Sequence, residues 1–358
     1  MFTQKLLNWY AENGRQLPWR ATDNPYYIWL SEIILQQTRI EQGRTYYERF
    51  QHEYPTLRHL ADAPEEQVLK TWQGLGYYSR ARNLHAAARY IAYELGGRFP
   101  DTYEGILSLK GVGRYTAAAI ASFAFRLPYP VIDGNVYRFI SRLYGIYTPI
   151  GTDAAYRQFE ELLKRHIDGQ RPDLFNQALM DFGSIYCKPS GCNCEECIFR
   201  TECVAYREGK VALLPVKQQK VKIRQRYFYY LDVCWKENDT RMLLLHRRDS
   251  RDIWQGLYEL PLYETAEALP NDVLRHHLMD ILVQWFGVPP LTMEVGPSFK
   301  HQLTHRTISA LFIQAKYSSR PTIIPPKYTP MSVAEAEKLP IPRLTDKYLT
   351  SRDDFYPR

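Results

Sequence analysis

The sequence predicts two domains of different class: an all-helical domain over residues 1–206 and a smaller α+β domain over 227–358, joined by a basic linker at 207–226. Three observations carry this reading. Up to about residue 206, apolar residues recur at helical spacing between turn signals such as Gly74-Leu75-Gly76 and Gly96-Gly97. From residue 227 the pattern changes to short runs rich in β-branched and aromatic residues, YFYYLDVCW, RMLLLHR and TISALFIQAK, each of strand length. Between the two, REGKVALLPVKQQKVKIRQR carries seven basic residues against one acidic and includes a proline. A chain of 358 residues is long enough for two cores, and no fixed period marks it as a repeat array.

Taken in order, the amino terminus places Leu6, Leu7 and Tyr10 at helical spacing and lacks the basic-then-apolar order of a secretory signal. No run of eighteen apolar residues occurs, so no transmembrane helix is expected. After Leu17-Pro18-Trp19-Arg20, two helices joined near Thr38-Arg39 are expected, followed by helices at Glu65–Leu75, Ser79–Leu95 and Thr102–Ser108. In the second domain the strong helix is Asp272–Phe286, with Val273, Leu274, Leu278, Ile281 and Leu282 on one face. A hydrophobic content of 45% excludes a disordered chain, and a formal charge of +7 fits a polyanionic partner.

The most informative stretch runs from Leu109 to Arg142. Gly111-Val112-Gly113 forms a tight turn in which both glycines can take positive φ, and an alanine-rich helix follows. Outward backbone N–H groups and the positive helix end there make a site for a phosphate oxygen. Twenty residues on, Asp133-Gly134-Asn135 precedes an amphipathic helix with Val136, Phe139, Ile140 and Leu143 on its stripe. A second carboxylate, Glu32, shares an apolar helix face with Ile28 and Leu35, where burial raises its pKa toward that of a general acid. Five of the six cysteines crowd into Cys187–Cys203 and point to metal in a chain without an export signal. Cys187, Cys194, Cys197 and Cys203, spaced C-x6-C-x2-C-x5-C, suit a [4Fe–4S] cluster or structural zinc. Cys192 is an extra thiol within the same loop.

Leu109–Thr116 resembles the helix-hairpin-helix element, and with Asp133 it is similar to the helix-hairpin-helix DNA glycosylases. Tyr115 and Asp133-Gly134-Asn135-Val136 resemble the MutY family of adenine DNA glycosylases. That resemblance implies a helix-hairpin-helix glycosylase domain carrying a [4Fe–4S] cluster loop, with Cys187, Cys194, Cys197 and Cys203 as ligands, followed by a Nudix-like recognition domain. It gives Glu32 the role of protonating adenine, Asp133 that of stabilising the oxocarbenium-like sugar, and Tyr115 and Asn135 that of positioning both. Trp19, Arg20, Leu35, Gln177 and Met180 match the adenine pocket. Gln37 and Tyr77 match residues that wedge into the duplex, Thr38 and Leu75 residues that contact 8-oxoguanine, and Gly111, Val112 and Gly113 the phosphate grip.

Endonuclease III relatives carry a Schiff-base lysine where this chain has Tyr115, so base release without strand cleavage is expected. The intact Glu32, Tyr115, Asp133 and Asn135 argue against a lesion-binding protein whose site has decayed. In the carboxy-terminal domain, Trp254-Gln255-Gly256-Leu257-Tyr258-Glu259-Leu260-Pro261 resembles a Nudix-like segment, and no glutamate-rich Mg²⁺-binding box follows it. Leu303-Thr304-His305 stands where the family usually has the Phe-Ser-His of its 8-oxoguanine sensing loop. The implied partner is double-stranded DNA with 8-oxoguanine·adenine or G·A mispairs, bound by a cytoplasmic, nucleoid-associated bacterial monomer with no membrane association.

Overall fold

The computed structural model describes residues 2–167, 171–218, 224–249, 252–303 and 305–352. Its chain divides into two compact units that interleave in sequence: Met1–Asp62 with Asn83–Lys220, and Ala63–Arg82 with Val221–Arg358. Among the described residues, no helix is long and apolar enough to cross a membrane.

The helices ahead of the sheet are α1 (Phe2–Asn13), α2 (Pro25–Leu35), α3 (Ile40–Glu53), α4 (Leu57–Asp62), α5 (Glu65–Thr71), α6 (Ser79–Tyr93), α7 (Tyr103–Leu107), α8 (Arg114–Phe125), α9 (Gly134–Tyr144), α10 (Asp153–Ile167), α11 (Pro172–Asp181) and α12 (Val204–Arg207). Asn24 caps α2 by accepting from the Tyr26 N–H, and Pro25 fills the first turn. The run from Ile28 to Ile34 is buried throughout, so α2 is a central helix, and Glu32 is buried with it. Buried alanines 117–119 and 121 on α8 let backbone lie close to its neighbours. Val136, Phe139, Ile140 and Leu143 of α9 close a second core with Phe159 and Leu163 of α10 and Phe175 and Leu179 of α11. A π-helical turn, Phe182–Tyr186, carries the chain from α11 into the cysteine loop. Gly183 is needed within it, because a Cβ there would lie 2.6 Å from the Asn135 carbonyl oxygen.

The linker expected at 207–226 is ordered at both of its ends. Leu214 is buried, its carbonyl accepts from Arg142 Nε at 3.1 Å, and Val216 accepts from the Ile150 N–H at 2.9 Å. Strand β1 already begins at Arg224.

The second unit is built on a seven-stranded sheet with the path β3-β2-β1-β6-β5, β4 pairing β1 and β7 pairing β2. Its strands are β1 (Arg224–Glu237), β2 (Thr240–Arg247), β3 (Tyr258–Glu259), β4 (Leu262–Thr265), β5 (Thr292–Gln302), β6 (Arg306–Lys316) and β7 (Thr329–Ser332). β1 and β6 run parallel at its centre, while β5 and β6 form an antiparallel pair. Alternation along β1 serves two cores. Tyr229, Leu231, Val233 and Trp235 pack with Leu278, Leu282 and Phe286 of α13 (Asn271–Phe286). Phe228 and Tyr230 pack with Ala336 of α14 (Val333–Ala336) and with Leu344, Tyr348 and Leu349 of α15 (Arg343–Thr350). Buried charges here are paired: Arg248 Nη1 meets Glu259 at 2.6 Å, and the Tyr230 hydroxyl donates to the same carboxylate at 2.9 Å. Asp252 meets Arg226 at 2.6 Å as well as Arg248 and Arg306.

The partition differs from the 1–206 domain read from sequence at two places: the helical unit runs on to Lys220, and Ala63–Arg82 belongs to the other unit. Val68, Leu69 and Trp72 are buried. Lys70 Nζ donates to the carbonyls of Glu337 (2.6 Å) and Leu339 (3.0 Å), and the Tyr258 hydroxyl donates to Glu66 at 2.8 Å. These bonds join the segment to chain made nearly two hundred residues or more later, a pairing that local patterning does not record. β5 was also absent from the sequence reading. Gly296-Pro297 interrupts it with a register shift between Val295 and Ser298, and its residues are mostly exposed, so apolar alternation is lost.

Candidate active site

In the helical unit, a cavity of about 590 Å³ is lined by Glu32, Tyr115, Asp133 and Asn135 together with Trp19, Arg20, Leu35, Gln177 and Met180. The four residues read as catalytic and the five read as an adenine pocket thus face one space. Thr38 reaches the same wall.

Glu32 enters from α2 and is only 6% exposed. Burial pushes its pKa up to about 7, against smaller downward pulls from a Tyr115 hydrogen bond and the Arg20 charge. Tyr115, one residue inside α8, is held neutral: burial and then the Glu32 charge raise its pKa well above the ordinary value. Asp133 is the N-cap of α9. Its Oδ1 accepts from the backbone N–H groups of Asn135 (2.9 Å) and Val136 (2.7 Å), and its Oδ2 from Asn135 Nδ2 (2.7 Å). It keeps part of its surface open to the cavity, yet burial in the surrounding wall raises its pKa over the opposing pull of those bonds. The cap bonds fix the direction of the carboxylate and leave it facing the cavity.

Two supports were not read from the sequence. Asp181, fully buried at the end of α11, accepts from Arg20 Nη1 (2.8 Å) and Nη2 (2.9 Å) and from the Arg15 N–H (2.9 Å) and Nε (2.8 Å). Burial alone would raise its pKa; the hydrogen bonds of Arg20 and Arg15 outweigh it and hold the carboxyl below its ordinary value. Arg138 donates from Nη2 to Asn135 Oδ1 at 2.9 Å and from Nε to the Cys187 carbonyl at 2.8 Å. The signal for it was its position, one helical turn after Asn135 on α9.

At the hairpin, Gly111 takes φ +81° and a Cβ there would lie 2.6 Å from Asn83 Cβ. Gly113 does not take the positive φ read from the sequence. It is extended at φ −98°, because it is the N-cap of α8, a position that demands β-region backbone. It offers no side-chain acceptor to the first-turn N–H groups, and a Cβ on it would meet open space. Val112 is buried beneath the turn.

Gln37 is exposed at φ +59°, and Tyr77 is 47% exposed at φ +46°. A positive φ is uncommon in a residue with a Cβ and marks backbone strain at both wedge positions. Leu75 is buried. In the strand-bearing unit, Tyr77, Leu303 and His305 line a cavity of about 470 Å³ with Arg82, Asp252 and Trp254. Leu303 closes the β5–β6 hairpin by donating its N–H to the Arg306 carbonyl at 2.8 Å. Thr304, read as a sensing residue, lies outside the described residues.

Cys187, Cys192, Cys194, Cys197 and Cys203 line one cavity beside Phe139 and Arg142, and all are free thiols. No carboxylate or histidine shares that wall, and among the described residues no three His, Cys, Asp or Glu side chains are grouped to grip a single metal ion. Thiols alone on such a wall fit a soft metal site, an iron–sulfur cluster or zinc, and not a hard ion.

Residues 30–165 match the HhH-GPD superfamily of base excision DNA repair proteins, and 233–351 match the NUDIX domain. The adenine DNA glycosylase of Buchnera aphidicola subsp. Baizongia pistaciae is 33% identical over 313 residues, spanning 86% of this chain and 84% of its own length. This chain belongs to the adenine DNA glycosylase family. The mouse adenine DNA glycosylase is 39% identical over 375 residues, spanning 89% of this chain and 72% of its own. Among solved structures, a thermostable thymine-DNA glycosylase matches with a TM-score of 0.54 and 31% identity over 58% of this chain and 95% of its own. An endonuclease III–DNA complex shares the fold, with a TM-score of 0.51 and 20% identity over 58% of this chain and 94% of its own. As a family member, this adenine DNA glycosylase is a base-excision-repair N-glycosylase whose helical glycosylase domain and α+β Nudix-like domain are those expected from the sequence.

Proposed function

We propose that this enzyme flips adenine mispaired with 8-oxoguanine or guanine out of duplex DNA and hydrolyses its glycosidic bond without cutting the strand. One observation carries the reading: a carboxyl group with a pKa near 7 and a second, rigidly aimed carboxylate face the same cavity. Glu32 is half protonated near neutrality and donates that proton to the departing adenine. Asp133, held by Asn135 and the start of α9, offsets positive charge as the sugar becomes oxocarbenium-like. Glu32, now ionised, orients water for attack. Tyr115 supplies a neutral hydroxyl and no amine, so no Schiff base forms. Trp19, Arg20, Leu35, Gln177 and Met180 enclose the flipped base, at a cost of about a few kcal/mol for leaving the stack. The strained, exposed Gln37 and Tyr77 fill the space it vacates, with Thr38 and Leu75 beside the 8-oxoguanine and Leu303, Thr304 and His305 reading it. The open first turn of α8 beyond Gly111-Val112-Gly113 takes a backbone phosphate. Cys187, Cys194, Cys197 and Cys203 hold a [4Fe–4S] cluster, which when bound supplies a rigid brace for the loop that Arg138 ties to Asn135. α13 carries no glutamate, so the Nudix-like domain reads the lesion and hydrolyses no pyrophosphate. The enzyme works as a monomer in the cytoplasm, at the nucleoid.

Single-turnover adenine release on duplexes with 8-oxoguanine, guanine or cytosine opposite the adenine tests this, with products run on denaturing gels with and without alkali. Release opposite 8-oxoguanine and guanine, with strand breaks only after alkali, is expected. Equal release opposite cytosine, or breaks without alkali as fast as release, would overturn it.

A further inference from the structure

We propose that Cys192 is a reserve cluster ligand that shares one coordination position with Cys194. The inference rests on reading the cysteine loop as a [4Fe–4S] site. The four-cysteine spacing leaves Cys192 unassigned, but its thiol does not sit on the outer face of the loop. It lines the same cavity as the other four, next to Arg142. Cys192 Sγ lies 3.6 Å from Cys194 Sγ, and Arg142 Nη1 lies 3.8 Å from Cys192 Sγ and 3.4 Å from Cys187 Sγ. Arg142 is only 3% exposed and is fixed by the carbonyls of Lys188 (2.7 Å), Pro189 (3.3 Å) and Leu214 (3.1 Å). The Cys194 N–H donates to the Cys192 carbonyl at 3.1 Å, a tight turn that brings both side chains to one wall.

The separation of the two sulfurs decides what they do. Thiolates on one tetrahedral metal, with bonds of about 2.3 Å, stand about 3.8 Å apart. Cys192 and Cys194, at 3.6 Å, therefore reach the same metal atom. In a four-iron cluster held by four protein thiolates each iron takes one, so only one member of the pair binds at a time. The other waits within reach; for Cys192 the resting place is against Arg142. Exchange brings one sulfur onto the iron as the other leaves, with the proton of the incoming thiol passing to the outgoing thiolate and no change of oxidation state. Loss of Cys194 as a ligand, by substitution or chemical damage, then leaves the cluster held.

Full-length wild type and the variants Cys192→Ala, Cys194→Ala, Cys197→Ala and Cys192→Ala/Cys194→Ala, purified anaerobically, are compared for iron, acid-labile sulfide and the visible charge-transfer band. Wild type and Cys192→Ala are expected to hold about four irons per chain, Cys194→Ala at least about half of that, and Cys197→Ala and the double variant under about a tenth. Iron in Cys194→Ala as low as in Cys197→Ala overturns the shared position. Wild type without iron overturns the cluster reading itself, a separate failure. Should Cys194→Ala not accumulate as folded protein, iodoacetamide alkylation of loaded wild type replaces it: label divided between Cys192 and Cys194 supports the pair, and label confined to Cys192 overturns it.

Discussion

Carboxylates in the strand-bearing unit lie against arginine: buried Glu259 against Arg248, buried Asp232 against Arg352 and partly exposed Asp252 against Arg226. Glu32 in the helical unit is buried as deeply, yet its hydrogen-bonding neighbour is the Tyr115 hydroxyl and its other side is open cavity. The contrast recurs within the helical unit, where Asp181 is clamped by Arg15 and Arg20. Arg20 forms its ion pair with Asp181, and its charge lowers the Glu32 pKa by less than burial raises it. An arginine beside a buried acid opposes the upward push of burial: Arg20 and Arg15 outweigh it at Asp181, while at Glu259 burial still leaves the pKa raised against the pull of Arg248. Withholding the arginine leaves a proton that can be given away near neutral pH.

The sharpest way to break this comparison is Asp133→Asn. An amide keeps the size and one acceptor but cannot offset a cationic sugar, so adenine release is expected to be abolished while duplex binding, which depends on phosphate contacts elsewhere, stays near wild type. Near-normal release in a single-turnover assay would remove Asp133 from the chemistry. Glu32→Gln comes next, with an expected loss of roughly 10²–10³-fold from removing a general acid. In wild type, release should decline about tenfold per pH unit above about 7 as Glu32 ionises, and the variant should lack that limb. Stability should fall with rising pH as well. Because the folded pKa lies above the unfolded one, the favourable burial of the protonated acid is complete below about 4.5 and is lost as pH rises through about 7. The penalty for the buried anion then approaches about 3 kcal/mol. Thermal unfolding of Glu32→Gln should thus match wild type at pH 4 and occur at higher temperature at pH 8; a lower transition at pH 8 would show that Glu32 is paired after all.

The paired side of the comparison predicts a different loss. Arg248→Met leaves Glu259 buried without its cation and should cost about 3–5 kcal/mol in denaturant unfolding, with adenine release intact wherever the protein is folded. Arg248→Met/Glu259→Leu should recover most of that. A double variant as unstable as the single one would mean that the pair holds the sheet by something other than charge compensation.

How much of this was legible in the sequence follows from the range of each interaction. Glu32 could be read because its burial is a helix-face property set by Ile28 and Leu35, one turn away on either side. Asp133 could be read because its cap partners are the next few residues. The alternation of β1 and the stripe of α13 are equally local. Asp181 could not, since its meaning is given by Arg15 and Arg20, which lie more than 160 residues earlier in the chain. Of the two glycines able to take positive φ, only Gly111 does, because Gly113 is the N-cap of α8 and takes extended backbone. Glu259 reads as an ordinary strand residue until Arg248 and Tyr230 are seen to enclose it.

The interleaving of the two units bears on how the chain is made. Residues 63–82 leave the ribosome early, but their partners follow 192 residues later for Glu66 with Tyr258 and 267 later for Lys70 with Glu337. At roughly 5–20 residues per second, that is a wait of about 10–50 s during which Glu66 and Lys70 are without these partners. The first segment of the strand-bearing unit is therefore made long before the rest of that unit, and in a fragment ended at residue 206 it would stay without these partners. Such fragments should precipitate more readily than the whole protein, with Glu66 and Lys70 left without the partners that hold them in it.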